Sequence, residues 1–187
     1  MRQFGLIGRN ISYSFSQSYF TEKFKNENIV DCIYNVFDLK EIEEVEKVFN
    51  TENLVGFNVT IPYKQEIIPY LDELSAEAKA IGAVNTVLIK DGKRIGHNTD
   101  CYGFHHSILP LLQQNHTKAL VLGNGGAAKA VFYILNLLNI DFKIVARNPT
   151  ENQLSYEEID ENTLNDYPII INCSPVGTFP SIEKSPL

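Results

Sequence analysis

The stretch Leu120-Val121-Leu122-Gly123-Asn124-Gly125-Gly126-Ala127-Ala128 restricts the possible folds more than any other part of the chain. Ala119 to Leu122 is an apolar run too short for a helix, and it stops at glycines. A helical pattern then runs from about Ala127 to Asn139, with Ala130, Val131, Ile134, Leu135 and Leu138 on one face. Phe142 to Ala146 and Ile169 to Ile171 are further short apolar runs. Strands that alternate with a helix in this way predict a parallel sheet.

The turn itself, Gly123, Asn124, Gly125, Gly126, Ala127 and Ala128, has the form of a dinucleotide fingerprint. Its first glycine permits a tight turn, its second lets backbone approach a pyrophosphate, and the small Ala128 lets helix pack closely on strand. The helix N-terminus supplies backbone N–H groups to the phosphates. An NAD site usually carries an acidic residue about 20 residues past the fingerprint, on the ribose hydroxyls. This chain has Ala146-Arg147-Asn148 there. A guanidinium pairs with a 2′-phosphate that a carboxylate would repel, so the pattern points to NADP(H).

Upstream, the chain reads differently. Strands are expected at Gln3–Ile7, Cys32–Phe37 and Leu54–Val59, and helices at Gln17–Glu27, Leu39–Phe49, Ser75–Ile81 and Tyr102–Gln114. A strand begins near Gly82-Ala83-Val84-Asn85-Thr86, and Asp91-Gly92 is a hairpin turn signal. In Gly56-Phe57-Asn58-Val59-Thr60-Ile61-Pro62-Tyr63-Lys64, Pro62 reads as the first residue of a helix. Lys64 would then sit in the first turn, where the positive end of the dipole disfavours a cation.

These elements divide the 187 residues into a substrate domain over 1–100, a connecting helix and hinge over 101–115, and a dinucleotide domain over 116–187. The fold class is α/β: an N-terminal α/β domain with a mostly parallel sheet, plus a Rossmann-like domain. A net charge of −7 with no basic cluster argues against nucleic acid. No run of about 18 apolar residues is present, which argues against a membrane span. Cys32, Cys101 and Cys173 are too scattered for a zinc site or a disulfide framework, so a cytoplasmic setting and no metal are expected.

A dinucleotide domain beside a polar domain suggests hydride transfer to a substrate lying in the cleft between them. Interconverting alcohol and ketone needs a group that moves the hydroxyl proton. Lysine and aspartate are the candidates, because His97, His105, His106 and His116 have no evident partner. Clustered polar residues occur at Ser14-x-Ser16, at Asn58 to Lys64, and at Asn85-Thr86 with Asn98-Thr99-Asp100.

Those clusters, in that order before the glycine turn, closely resemble shikimate dehydrogenases across essentially the whole chain. The resemblance implies NADPH-dependent, reversible reduction of 3-dehydroshikimate to shikimate, in the pathway to chorismate and the aromatic amino acids. It assigns catalysis to Lys64 with Asp100 as partner. It gives the substrate carboxylate to Ser14 and Ser16, helped by Thr60, and the ring hydroxyls to Asn85 and Asp100. Arg147, in Ala146-Arg147-Asn148, matches the arginine for the 2′-phosphate. Cys173 and Ser174 fall in a loop near the nicotinamide. A quinate/shikimate dehydrogenase, or a non-catalytic ligand-binding fragment, is the alternative, and a monomer or homodimer is expected.

Tyr13 and Gln17 stand where the family usually has His and Pro, Cys101 replaces a common glycine, and only Arg147 survives from the usual Asn-Arg-Thr. The family also continues beyond the loop at Gly177. The chain ending Ser185-Pro186-Leu187 is therefore expected to be truncated, with its dinucleotide sheet and substrate site incomplete.

Overall fold

A computed structural model describes residues 1–178 and 181–187. The chain forms two compact units, Met1–Thr99 and Asp100–Leu187.

The first unit is built on six strands: β1 (Arg2–Gly8), β2 (Cys32–Asp38), β3 (Leu54–Val59), β4 (Glu73–Leu74), β5 (Thr86–Lys90) and β6 (Lys93–His97). They lie in the order β2-β1-β3-β5-β6-β4. β1 runs parallel to both β2 and β3, whereas the β3–β5 and β5–β6 pairs are antiparallel. The β5–β6 hairpin closes through Asp91 and Gly92, both at positive φ (52° and 77°), as a two-residue turn requires. Helices α1 (Ser16–Asn26), α2 (Val45–Phe49) and α3 (Ala76–Ile81) complete the unit.

Adjacent strand residues point to opposite faces, so Leu6 and Ile7 enter different cores. Ile7 joins Phe57, Val59, Val87, Tyr63 and Ile67 on one face. Leu6 joins Ile11 and Tyr34 on the other, against Phe20 and Phe24 of α1.

The second unit contains α4 (Asp100–Ile108), β7 (Lys118–Leu122), α5 (Gly126–Leu137), β8 (Asp141–Val145), α6 (Glu161–Asp166) and β9 (Ile169–Asn172). Its sheet is parallel throughout, in the order β8-β7-β9. β7 is apolar along its length because both faces are covered. Ala119 and Val121 pack with Ala128, Val131 and Leu135 of α5, while Leu120 and Leu122 pack with Val145, Leu154 and Tyr156.

Three expected helices differ from those observed. Leu39–Phe49 is only a 3₁₀ turn, Ile42–Glu44, followed by α2. Glu41 has an extended backbone, φ −135° and ψ 149°, so the helix cannot begin earlier. Tyr102–Gln114 is α4 followed by a 3₁₀ turn, Leu109–Leu111, because Pro110 has no N–H to continue the ladder.

The third difference concerns Lys64. Residues 61–67 form successive turns rather than a helix, and the Ile61–Pro62 peptide is cis. The Lys64 carbonyl accepts from Val84 N–H (2.7 Å), and the Gln65 carbonyl accepts from Ile68 N–H (3.2 Å). In a helix Gln65 would instead pair with residue 69, which is a proline without a donor. No helix dipole therefore acts on Lys64, and the expected electrostatic conflict is absent.

Candidate active site

Backbone hydrogen bonds draw together the three separated motifs of the first unit. Val59 N–H donates to Asn85 O (2.8 Å), Val84 N–H to Lys64 O (2.7 Å) and Asn85 N–H to His97 O (3.0 Å). Thr60 is fixed by its own N–H on Ile7 O (2.9 Å). Two buried amides lock this junction. Asn98, 6% exposed, donates to Ala83 O (3.0 Å), and Asn85, 8% exposed, accepts from Thr99 N–H (2.8 Å) while donating to Thr99 Oγ1 (2.9 Å). Asn85 and Asn98 thus hold the backbone as well as offering polar atoms. Buried amides persist in a core only when their donors and acceptors are met in this way.

Thr60 and Lys64 are half-buried at the end of β3. Nearby, Tyr63 is fully buried and donates to Leu39 O (2.8 Å), and its phenol accepts from the exposed Arg9 Nε (3.1 Å). That hydrogen bond raises the Arg9 pKa from its usual value, against a smaller opposing effect of burial. Ser14 and Ser16 are also half-buried, and Ser14 Oγ accepts from Ser16 N–H (3.2 Å).

Sequence inspection passed over the group that links these serines to the amides. Tyr34 Oη donates to Asn58 Oδ1 (2.8 Å), Asn58 Nδ2 to Thr86 Oγ1 (3.2 Å), and Thr86 Oγ1 to Asn85 Oδ1 (3.2 Å). Ser16 interacts with the Tyr34 phenol through its hydroxyl. Burial pushes that phenol up to about 12, with Ser16 pulling partly the other way. Hydrogen bonds therefore run from Tyr34 to Asn85 with Ser16 beside the phenol, and backbone bonds add Thr60 and Lys64. Asp100 follows Thr99 directly and opens α4 as its first residue.

In the second unit, Gly123 N–H donates to Val145 O (2.8 Å) and Cys173 N–H to Leu122 O (2.9 Å). The glycine turn, the residues after β8 and the loop after β9 thus meet at the carboxyl ends of the strands. β7 has β8 on one side and β9 on the other, which is the topological switch where open α/β sheets take ligands.

The two glycines differ in physical role. Gly123 has φ +110°, and a Cβ there would lie 3.0 Å from Cys173 O, so the fold itself requires glycine. Gly125 has an ordinary extended backbone, φ −76° and ψ −173°, and an added Cβ would meet nothing within 4 Å. Nothing within the second unit requires glycine at 125, so the open space fits a group approaching from outside. A dinucleotide pyrophosphate against the N-terminus of α5 matches that geometry. Ala128 is fully buried against β7, as the third small position demands.

Asn124 and Ala127 are exposed and Gly126 is half-buried as the first residue of α5. Ala146 is buried, while Arg147 and Asn148 are exposed just after β8. Among the described residues the Arg147 side chain forms no ion pair. The loop after β9 is shaped by Asn172, the residue that opens the motif containing Cys173 and Ser174. Its Oδ1 accepts from Ser174 N–H (2.9 Å) and Oγ (2.7 Å), and its Nδ2 donates to Val176 O (2.9 Å). Burial pushes the Cys173 thiol up to about 11, which keeps it protonated at neutral pH.

An α/β architecture with a dinucleotide-type turn and a separate polar site defines the general class. A sequence profile described as the shikimate dehydrogenase substrate binding domain matches residues 6–87. A shikimate dehydrogenase (NADP(+)) of Clostridium botulinum is 41% identical over 98% of this chain and 75% of its own length. Among solved structures, a chorismate mutase/shikimate 5-dehydrogenase fusion protein from Clostridium acetobutylicum has a TM-score of 0.82 at 33% identity, covering all of this chain and 72% of that one. The shikimate 5-dehydrogenase of Thermus thermophilus, solved in complex with NADP(H) and shikimate, has a TM-score of 0.76 at 26% identity, covering all of this chain and 73% of that one. The chain belongs to the shikimate dehydrogenase family.

Proposed function

We propose that this protein interconverts 3-dehydroshikimate and shikimate with NADP(H), in the pathway toward chorismate and the aromatic amino acids. The observation that carries this assignment is the junction in which Val84 N–H bonds the Lys64 carbonyl and the adjacent Asn85 bonds Thr99, bringing three distant motifs together. Ser14 and Ser16, with Thr60, bind the substrate carboxylate, since neighbouring hydroxyls donate to an anion without adding charge. Asn85 and Asp100 hold the ring hydroxyls. An amide both donates and accepts and a carboxylate accepts, so the pair distinguishes hydroxyl from ketone.

Bound NADPH supplies the hydride to the ketone carbon. Lys64 delivers a proton to the ketone oxygen as it becomes a hydroxyl, and takes it back in the reverse direction. Asp100 orients the ammonium. The turn Gly123–Ala128 receives the pyrophosphate on backbone N–H groups, and Arg147, beside Ala146 and Asn148, holds the 2′-phosphate. Cys173 and Ser174 line the nicotinamide end, with Cys173 as a neutral thiol. Residues 1–100 act as the substrate domain and 116–187 as the dinucleotide domain, joined through 101–115.

Among the described residues no helix is long and apolar enough to cross a bilayer. We place it in the cytoplasm, working without nucleic acid or metal, as a monomer or homodimer. Shikimate-dependent formation of NADPH, followed by absorbance, tests the assignment, with quinate and NAD as comparison substrates. Lys64→Ala and Asp100→Ala should each abolish most of the rate. An inactive wild type, or full activity in both variants, overturns it.

A further inference from the structure

The polar path through the first unit has a direction. Tyr34, Asn58 and Thr86 each donate to the next member, ending on Asn85 Oδ1. Such chains strengthen each bond by polarising its neighbours. Their members come from β2, β3 and β5, strands 24 to 28 residues apart in sequence. Tyr34 is the best-anchored of them. It is 4% exposed, and its ring stacks on Phe20 at 4.4 Å with an interplanar angle of 13°. Its carbonyl accepts from Gln17 Nε2 (3.3 Å), one residue beyond Ser16. The start of α1 is therefore held to Tyr34 through the Gln17 bond to its backbone carbonyl and the Phe20 stack on its ring.

A buried phenol could be mere core. Here, however, its oxygen makes a specific bond to Asn58 and meets Ser16, whereas an aromatic residue of the same shape without the hydroxyl would fill the same volume. We infer that Tyr34 is a positioning residue for substrate: it sets the start of α1, which carries Ser16, against Asn58 and, through Thr86, Asn85, so the carboxylate end and the ring-hydroxyl end of the site are set together. The inference rests on the function proposed above. Tyr34 acts through its neighbours and touches no reacting atom.

The test compares steady-state kinetics of wild type, Tyr34→Phe, Ser16→Ala and the double variant, with thermal melts alongside. Loss of one neutral hydrogen bond predicts a rise in KM for shikimate of about 3- to 10-fold in Tyr34→Phe. The kcat and the KM for NADP should stay near wild type, because hydride and proton transfer are untouched. The double variant should be little worse than Ser16→Ala alone, since both substitutions cut the same link. Thr86→Val, which cuts the path between Asn58 and Asn85 while keeping the residue's shape, should show the same selective rise in KM. It provides an independent reading should Tyr34→Phe fold poorly.

An unchanged KM for shikimate in Tyr34→Phe and Thr86→Val overturns the inference alone. So does a parallel fall in kcat and both substrate affinities, or full additivity with Ser16→Ala. A wild type inactive toward shikimate overturns the proposed function first, and this inference with it.

Discussion

The two units hold their candidate groups in opposite ways. In residues 1–99 the polar side chains hold one another, through buried amides and a directed hydrogen-bond path. In residues 116–187 the groups facing the dinucleotide phosphates are backbone N–H groups on an open turn and an exposed guanidinium. The first arrangement couples stability to binding, because removing one partner strands another in the core. The second separates them, because its groups carry little of the fold. A small substrate with several hydroxyls needs fixed donors and acceptors, whereas phosphates are met by dipoles and charge.

Lys64 gives the largest expected effect and tests the coupling from one side. Its contribution to the junction described above is its backbone carbonyl, bonded to Val84, which any substitution retains. Lys64→Ala should therefore lower kcat by about 10²- to 10⁴-fold, the usual range for a lost general acid–base. The thermal midpoint should move by only a few degrees. A collapse of the fold would show that the side chain is structural, and the first unit would then be coupled even at its catalytic group.

Asn98 and the glycines sharpen the contrast. Asn98→Ala leaves Ala83 O without its buried donor and should cost about 1–3 kcal/mol in urea unfolding. Gly123→Ala should cost about the same, from a strained positive φ and contact with Cys173 O. Gly125→Ala should leave the unfolding midpoint unchanged, yet weaken NADP binding when titrated by calorimetry. If Gly125→Ala instead destabilised the fold with binding intact, the second unit would not separate the two properties.

Arg147→Ala comes next. Charge-assisted bonds contribute about 1.5–3 kcal/mol, so the KM for NADP should rise by roughly 10- to 100-fold. NAD, which lacks the 2′-phosphate, should be used as before. Equal losses with both cofactors would remove Arg147 from the 2′-phosphate and leave it a surface residue.

Much of this was legible in the sequence, for a definable reason. β3 begins and ends where its apolar run does, and Asp91-Gly92 announces its turn, because both depend on local pattern. The turn-rich segment at Pro62 was misread as a helix because its outcome depends on distant partners. Val84 takes the Lys64 carbonyl from 20 positions away, and only Pro69 gave local warning. Motif residues such as Asn85 could be named in advance, but Asn85's work in bonding Thr99 could not. Tyr34 left no signal at all. It looks like an ordinary strand residue until its partner is in place.

The smallest effect is at alkaline pH, and it probes how firmly the first unit buries its path. Tyr34 is a phenol whose folded value lies near 12, above its usual value near 10, because burial disfavours the phenolate. Below about pH 10 the phenol is protonated in both folded and unfolded chains, and its contribution to stability is fully present. As pH rises from 10 toward 12, the unfolded chain releases the proton first, and stability falls. Cys173, raised to about 11 by burial, adds a similar loss that starts nearer pH 9. Urea unfolding of wild type and Tyr34→Phe across this range separates the two. The phenylalanine variant should keep the thiol-driven decline and a smaller part from Tyr70, whose phenol burial also raises, and lose the share that Tyr34 adds from pH 10. Identical slopes would mean that Tyr34 ionises as easily in the folded protein as in the unfolded one. The polar path would then be open to water, and the first unit would resemble the second more closely than its hydrogen bonds imply.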